Sequence, residues 1–124
     1  MRGVRGATVV PEEAGKAREA VAELLHTLVS RNGIRPDELA AAVFTLPPEL
    51  GELRAAAVAR EMGWERVPLL EVSQPARADD IPRCLRVLLL WNADVGQEDV
   101  RHVYLGRAAS LRPDLAAREG GEEQ

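Results

Sequence analysis

The 124 residues read as a single α/β domain, a mixed α+β sheet with packed helices. Three features point there. Short runs rich in β-branched residues alternate with two helical stretches along the chain. Val21, Leu24, Leu25, Leu28 and Val29 keep the i, i+3, i+4, i+7, i+8 spacing of an amphipathic helix. Cys84 to Trp91, CLRVLLLW, is apolar on both faces and reads as a fully buried strand.

Residues 2–10 predict a first strand ending in the β-branched run Thr8, Val9 and Val10. Pro11 suits the first turn of a helix, with Glu12 and Glu13 favourable at its positive end. Asn32-Gly33 stops that helix. Pro36-Asp37-Glu38 opens a short helical turn, and Ala41 to Leu46 forms a strand that Pro47-Pro48 ends. Leu53 to Met62 is Ala-rich, stops before Gly63, and predicts a second helix. Val67 to Leu70 is a short extended segment in which Pro68 favours a sheet edge.

Residues 71–82 are polar, contain two prolines, and read as a loop. After the buried strand, Asn92 to Asp94 breaks the ladder. Residues 100–105 fit either an extended segment or a helical turn. Arg112 is biased towards extended geometry by Pro113. Residues 1–117 make one domain, and residues 118–124 form a polar tail. Two helices cannot cover both faces of such a sheet, so another subunit is expected to cover the Cys84–Trp91 strand.

Composition narrows the function. Phe44, Trp64, Trp91 and Tyr104 are the whole aromatic complement, at 3%, too few for a base-stacking surface. A net charge of −4 with scattered acidic residues argues against nucleic acid or an anionic membrane as partner. Lys16 is the only lysine among 16 basic residues, so the positive charge is almost all guanidinium. Such forks match carboxylates and phosphates in two-point contacts. Cys84 is the single cysteine, and His26 and His102 lie far apart, so no metal site is expected. No signal-peptide core and no apolar run of roughly 18 residues is present, which predicts a cytoplasmic protein.

Two arginines stand out. Arg86 interrupts an apolar strand, where a guanidinium is costly unless an anion or several acceptors satisfy it. It reads as a structural ion pair, an outward edge residue, or a ligand-binding cation. Arg5 shares a strand face with Gly3, Ala7 and Val9, small neighbours that leave room beside it. Tyr104 fits a core position or a hydroxyl donor. His102 reads as structural or surface, and Asp79-Asp80 as solvated charge. No triad, phosphate loop or paired-carboxylate motif is present. The residues alone imply an arginine-lined site for a small carboxylate or phosphate ligand.

The segments RGVRGAT at 2–8, VPLL at 67–70, CLRV at 84–87, RHVYL at 101–105 and LRPDL at 111–115 together resemble chorismate mutase of the small AroH-type class. The resemblance runs collinearly from Arg2 to Leu115. It implies a pseudo-α/β-barrel homotrimer with active sites at subunit interfaces. It also implies an isomerase that rearranges chorismate, a small dicarboxylate, to prephenate with no cofactor. Catalysis would come from holding a compact conformer and stabilising a polarised transition state. By this resemblance Arg5 holds a substrate carboxylate, and Arg86 bridges the other carboxylate and the ether oxygen. Tyr104 donates to the enolpyruvyl carboxylate, Arg60 lies near the pocket, and Arg112 helps close it.

Three pocket positions depart from the family pattern. Gln74 stands where a glutamate is usual, and it accepts a hydrogen bond without supplying charge. Glu71 replaces a small residue and Arg54 an aromatic one. Glu71 and Arg54 are candidates to pair, or Glu71 to stand in for the missing carboxylate. These departures leave two other readings open. One is the same scaffold acting on a related enolpyruvyl or cyclic carboxylate in specialised metabolism, and the other is a non-catalytic anion-binding trimer.

Overall fold

A computed structural model describes residues 1–13 and 15–111. Five strands form one sheet: β1 (Arg2–Val9), β2 (Leu39–Leu46), β3 (Leu69–Ser73), β4 (Cys84–Trp91) and β5 (Val103–Tyr104). Helices α1 (Lys16–Asn32) and α2 (Ala55–Glu61) accompany them. The strand order is β3-β2-β4-β1-β5. β4 runs antiparallel to both β1 and β2, while β3 is parallel to β2 and β5 parallel to β1. β1 and β2 thus flank β4 in the same direction, joined through α1, as in a split β-α-β unit.

Alternation along the strands sorts their side chains onto two faces. Val4, Phe44, Leu85, Val87 and Leu89 face the helices and pack with Val21, Leu24, Leu25 and Leu28 of α1 and with Ala55, Val58 and Ala59 of α2. Gly6 allows the closest helix contact, because a Cβ there would lie 2.8 Å from Leu28 Cδ1 and 3.2 Å from Leu24 Cδ1. Neither α1 nor α2 covers the other face, where Ala108, from the 3-10 turn after β5, packs on Ala7 and Cys84 at one end. Arg5, Val43, Thr45, Arg86, Leu88 and, on β3, Leu70 and Val72 lie on it by register.

Three expectations are corrected. β4 is not buried on both faces: Leu85, Val87 and Leu89 are buried, but Leu88 is 38% exposed. Leu70 at 63% and Val72 at 45% extend that uncovered apolar strip. Helix α1 begins at Lys16 rather than at Pro11. Arg83 explains the delay: its Nε donates to Val10 O at 2.8 Å and its Nη2 to Pro11 O at 2.9 Å, so the strand exit is held extended. Residues 71–73 belong to β3 rather than to a loop, since Glu71, Val72 and Ser73 pair with Phe44, Thr45 and Leu46.

Other readings hold. Gly33, at φ 68°, ends α1 in the left-handed region, and the backbone N–H of Ile34 returns to Val29 O at 3.1 Å. β3 is an edge strand, as Pro68 suggested. The undecided 100–105 segment forms β5, followed by a 3-10 helix at Gly106–Leu111. No described helix is long and apolar enough to cross a membrane. Arg112 and the 118–124 tail lie outside the described residues.

Candidate active site

A cleft of about 630 Å³ opens on the face opposite α1 and α2. Arg5, Thr45, Gln74, Arg77, Asp80 and Arg86 supply its polar lining, and Val43, Val87 and Leu88 its apolar floor. Ladder register builds it. Arg86 stands opposite Ala7 on one side and Thr45 on the other, and Arg5 stands opposite Leu88. Arg5 and Arg86 are therefore diagonal neighbours on one face, with the small Ala7 between them and the edge.

Each polar group has a definable local state. Gln74 closes the β2–β3 ladder, its backbone N–H donating to Leu46 O at 2.9 Å. Its side-chain Oε1 accepts a short hydrogen bond from Thr45 Oγ1. The Asp80 carboxylate lies 3.9 Å from Arg86 Nη2, an ion pair in which both side chains are about two-thirds covered (34% and 39% exposed). Arg86 Nε is buried without a hydrogen-bond partner, a donor that a bound anion would satisfy. Burial raises the neighbouring Cys84 thiol above its ordinary value, and the Arg86 charge pulls the other way with smaller effect.

Behind the cleft, His102 is buried and its Nδ1 accepts from the backbone N–H of Arg5 at 2.9 Å. Tyr104 pairs in register with Ala7, and packs with Ala7, Cys84 and Ala108. It therefore shares the open face with Arg5 and Arg86 without lining the cleft. Glu71, Arg54 and Arg60 lie elsewhere, on the α2 side of the sheet. Glu71 pairs with Phe44, which faces the helices, and its Oε2 accepts from the backbone N–H of Ala56 at 2.8 Å. Arg54 precedes α2 and offers no capping acceptor, so Glu71 supplies that acceptor from β3. Arg60 sits exposed in the last turn of α2.

One chain thus brings together Arg5, Gln74 and Arg86, and places Glu71, Arg54 and Arg60 apart from them. Sequence reasoning passed over Thr45, Arg77 and Asp80. Thr45 was detectable as the one hydroxyl in an apolar strand. In the sequence Asp79-Asp80 reads as solvated charge, whereas the structure sets the Asp80 side chain, about two-thirds covered, against Arg86. Among the described residues no cluster of three or more His, Cys, Asp or Glu could hold a metal ion.

Comparison with known proteins agrees with this architecture. The family model described as chorismate mutase type I matches residues 1–115. The Chorismate mutase AroH of Thermus thermophilus is 44% identical over 121 residues, covering 96% of this chain and 99% of that protein. Its counterpart from Bacillus subtilis (strain 168) is 30% identical over 124 residues, covering 98% of each. A chorismate mutase structure from Clostridium thermocellum superposes with a TM-score of 0.84 at 28% identity, covering 90% of this chain and 100% of that one. With the sheet order, the arginine-lined cleft and a family match along nearly the whole chain in agreement, the chain belongs to the chorismate mutase type I family.

Proposed function

We propose that the open-face cleft is where this isomerase rearranges chorismate to prephenate, and that Arg5, Arg86 and Gln74 contact the substrate. The carrying observation is the diagonal pair Arg5 and Arg86 on one face, with Arg86 Nε lacking a partner. The substrate brings two carboxylates, and guanidinium forks meet them in charge-assisted contacts. The reaction is intramolecular: one C–O bond breaks, one C–C bond forms, and no atom enters or leaves. Binding in a compact conformer brings the reacting carbons together, an effect worth several kcal/mol, up to about 7–11 in well-oriented systems. Arg86 then meets the ether oxygen as negative charge grows on it.

A homotrimer completes the site in this reading. Glu71, Arg54 and Arg60 sit on the α2 side, out of reach of the cleft in their own chain. A neighbouring copy laid over the open face brings such groups to the cleft rim. It also covers Leu70, Val72 and Leu88, whose exposure is otherwise unfavourable. Tyr104, beyond Ala7 on the same face, and Arg112 are assigned the remaining carboxylate contacts, made where the bound substrate extends past the cleft of a single chain. The reading places the protein in the cytoplasm, consistent with a single unpaired cysteine.

The test is chorismate turnover by the purified protein with the product identified by NMR, alongside sedimentation for the assembly. Prephenate is the expected product, and Arg86→Ala lowers kcat/KM by about 100- to 1,000-fold or more. Turnover that survives Arg86→Ala unchanged, or a strictly monomeric active species, overturns this assignment.

A further inference from the structure

We propose that Asp80 is the carboxylate that faces the substrate's ring, accepting from the ring hydroxyl and supplying the negative charge that Gln74 cannot. The inference deepens the chorismate reading above and rests on it. Charge balance in the cleft is the first ground. Arg5, Arg77 and Arg86 bring three positive charges, and Asp80 is the only carboxylate among the described lining residues. As the C–O bond breaks, the ether oxygen gains negative charge and the ring fragment becomes electron-poor. Guanidinium groups stabilise the first and oppose the second, so a carboxylate on the ring side is the complementary partner.

Gln74 lines the same cleft but cannot supply that charge. Its Oε1 already accepts from Thr45 Oγ1, and its amide is neutral. Asp80 keeps its oxygens available, because at 3.9 Å its pair with Arg86 is electrostatic without a hydrogen bond. It is also held in place. Its backbone N–H donates to Arg77 O at 3.1 Å, and the next residue, Ile81, packs on Ala7 and Cys84. No proton moves in the proposed contact: the hydroxyl keeps its hydrogen and the carboxylate only accepts.

A rival role would make Asp80 a placeholder that occupies Arg86 until a substrate carboxylate displaces it. The two roles differ in steady-state kinetics with chorismate. Ring stabilisation predicts that Asp80→Asn lowers kcat by about a hundredfold, the scale of losing one preorganised electrostatic partner. Adding Gln74→Glu to that variant restores much of the loss, by returning a carboxylate to the cleft. A placeholder predicts a lower KM for Asp80→Asn with kcat unchanged, and that result overturns the proposal. So does an activity loss that Gln74→Glu fails to rescue while the thermal melt matches the parent protein.

The parent reading fails separately, if the unaltered protein makes no prephenate at all. Calorimetric binding of prephenate, which keeps the ring hydroxyl, then decides about Asp80. Weaker binding by Asp80→Asn upholds the contact. Equal or tighter binding, or no binding by either protein, overturns it.

Discussion

The backbone N–H of Arg5 donates to Nδ1 of His102 across 2.9 Å, tying a cleft arginine to a buried imidazole 97 residues later in the chain. An accepting Nδ1 means that the ring proton resides on Nε2. The contact lies just before β5, which pairs with β1 through Gly6 and Ala7, so it fixes the strand immediately upstream of that pairing. His102→Leu leaves a covered N–H without its acceptor, and such losses cost about 1–3 kcal/mol. His102→Asn, whose side-chain oxygen reaches nearly the place of Nδ1, recovers part of it. Urea unfolding of the two variants measures the difference, and equal stabilities would show that the hydrogen bond contributes nothing.

Glu71 and Ala56 give a second measurable link. The Glu71 carboxylate accepts from an N–H at the start of α2, where Arg54 provides no acceptor. Glu71→Ala should cost about 0.5–2 kcal/mol, the range for a lost helix cap. Gln at this position keeps an acceptor and loses the charge, so Glu71→Gln should fall between the two. In the trimer reading the same residue lies near a neighbour's cleft. Glu71→Ala therefore also shifts KM for chorismate, whereas a purely structural role moves stability alone.

Much of this architecture was legible because it depends on local pattern. The 3.6-residue spacing of Val21 to Leu28 marks α1, and Pro68 marks an edge strand. The charge of Arg86 inside an apolar run marks the cleft. What was not legible depends on contacts distant in the chain. The start of α1 is set by the Arg83 side chain on the carbonyls of Val10 and Pro11. Neighbouring acids such as Asp79 and Asp80 look alike in sequence, and only the path of the loop over the sheet sets Asp80 against Arg86. Residues 71–73 carry a single apolar side chain, Val72, and run into Gln74 and Pro75, so their strand is set by the parallel ladder with Phe44, Thr45 and Leu46 rather than by local pattern.

Gly6 tests the packing of α1 on the sheet. It is buried between Leu24, Leu28 and Val87, and a methyl group there would meet all three at 2.8 to 3.2 Å. Both leucines are fully buried, so they have little space into which to move. Gly6→Ala is expected to destabilise by about 1–3 kcal/mol through overpacking. Pairing it with Leu28→Val, which removes the nearest methyl, should give less than the sum of the two single losses. Strict additivity would mean that the helix shifts as a body rather than clashing at Leu28.

Stability should also depend on pH through two carboxylates held by N–H donors. The Glu38 carboxylate accepts from the Arg35 backbone N–H at 3.0 Å and from Trp91 Nε1–H at 3.1 Å. The Arg35 contact first, and Trp91 second, hold its pKa below the ordinary 4.5, with slight burial opposing them. Glu49 is lowered chiefly by the Arg83 backbone N–H, 2.8 Å away. In each case the unfolded chain takes up its proton at higher pH than the folded one does. The unfolded state therefore binds more protons below about 4.5, and the unfolding free energy falls with pH there. The contribution is complete above that value and is lost as pH drops through the lower folded-state pKa. Glu38→Gln removes the charge and with it this share of the pH dependence. Urea unfolding from about pH 6 down to about pH 3 should show wild type and Glu38→Gln converging as the carboxylate protonates. A gap that stays constant across the range would mean that the Trp91 and Arg35 contacts do not distinguish carboxylate from amide.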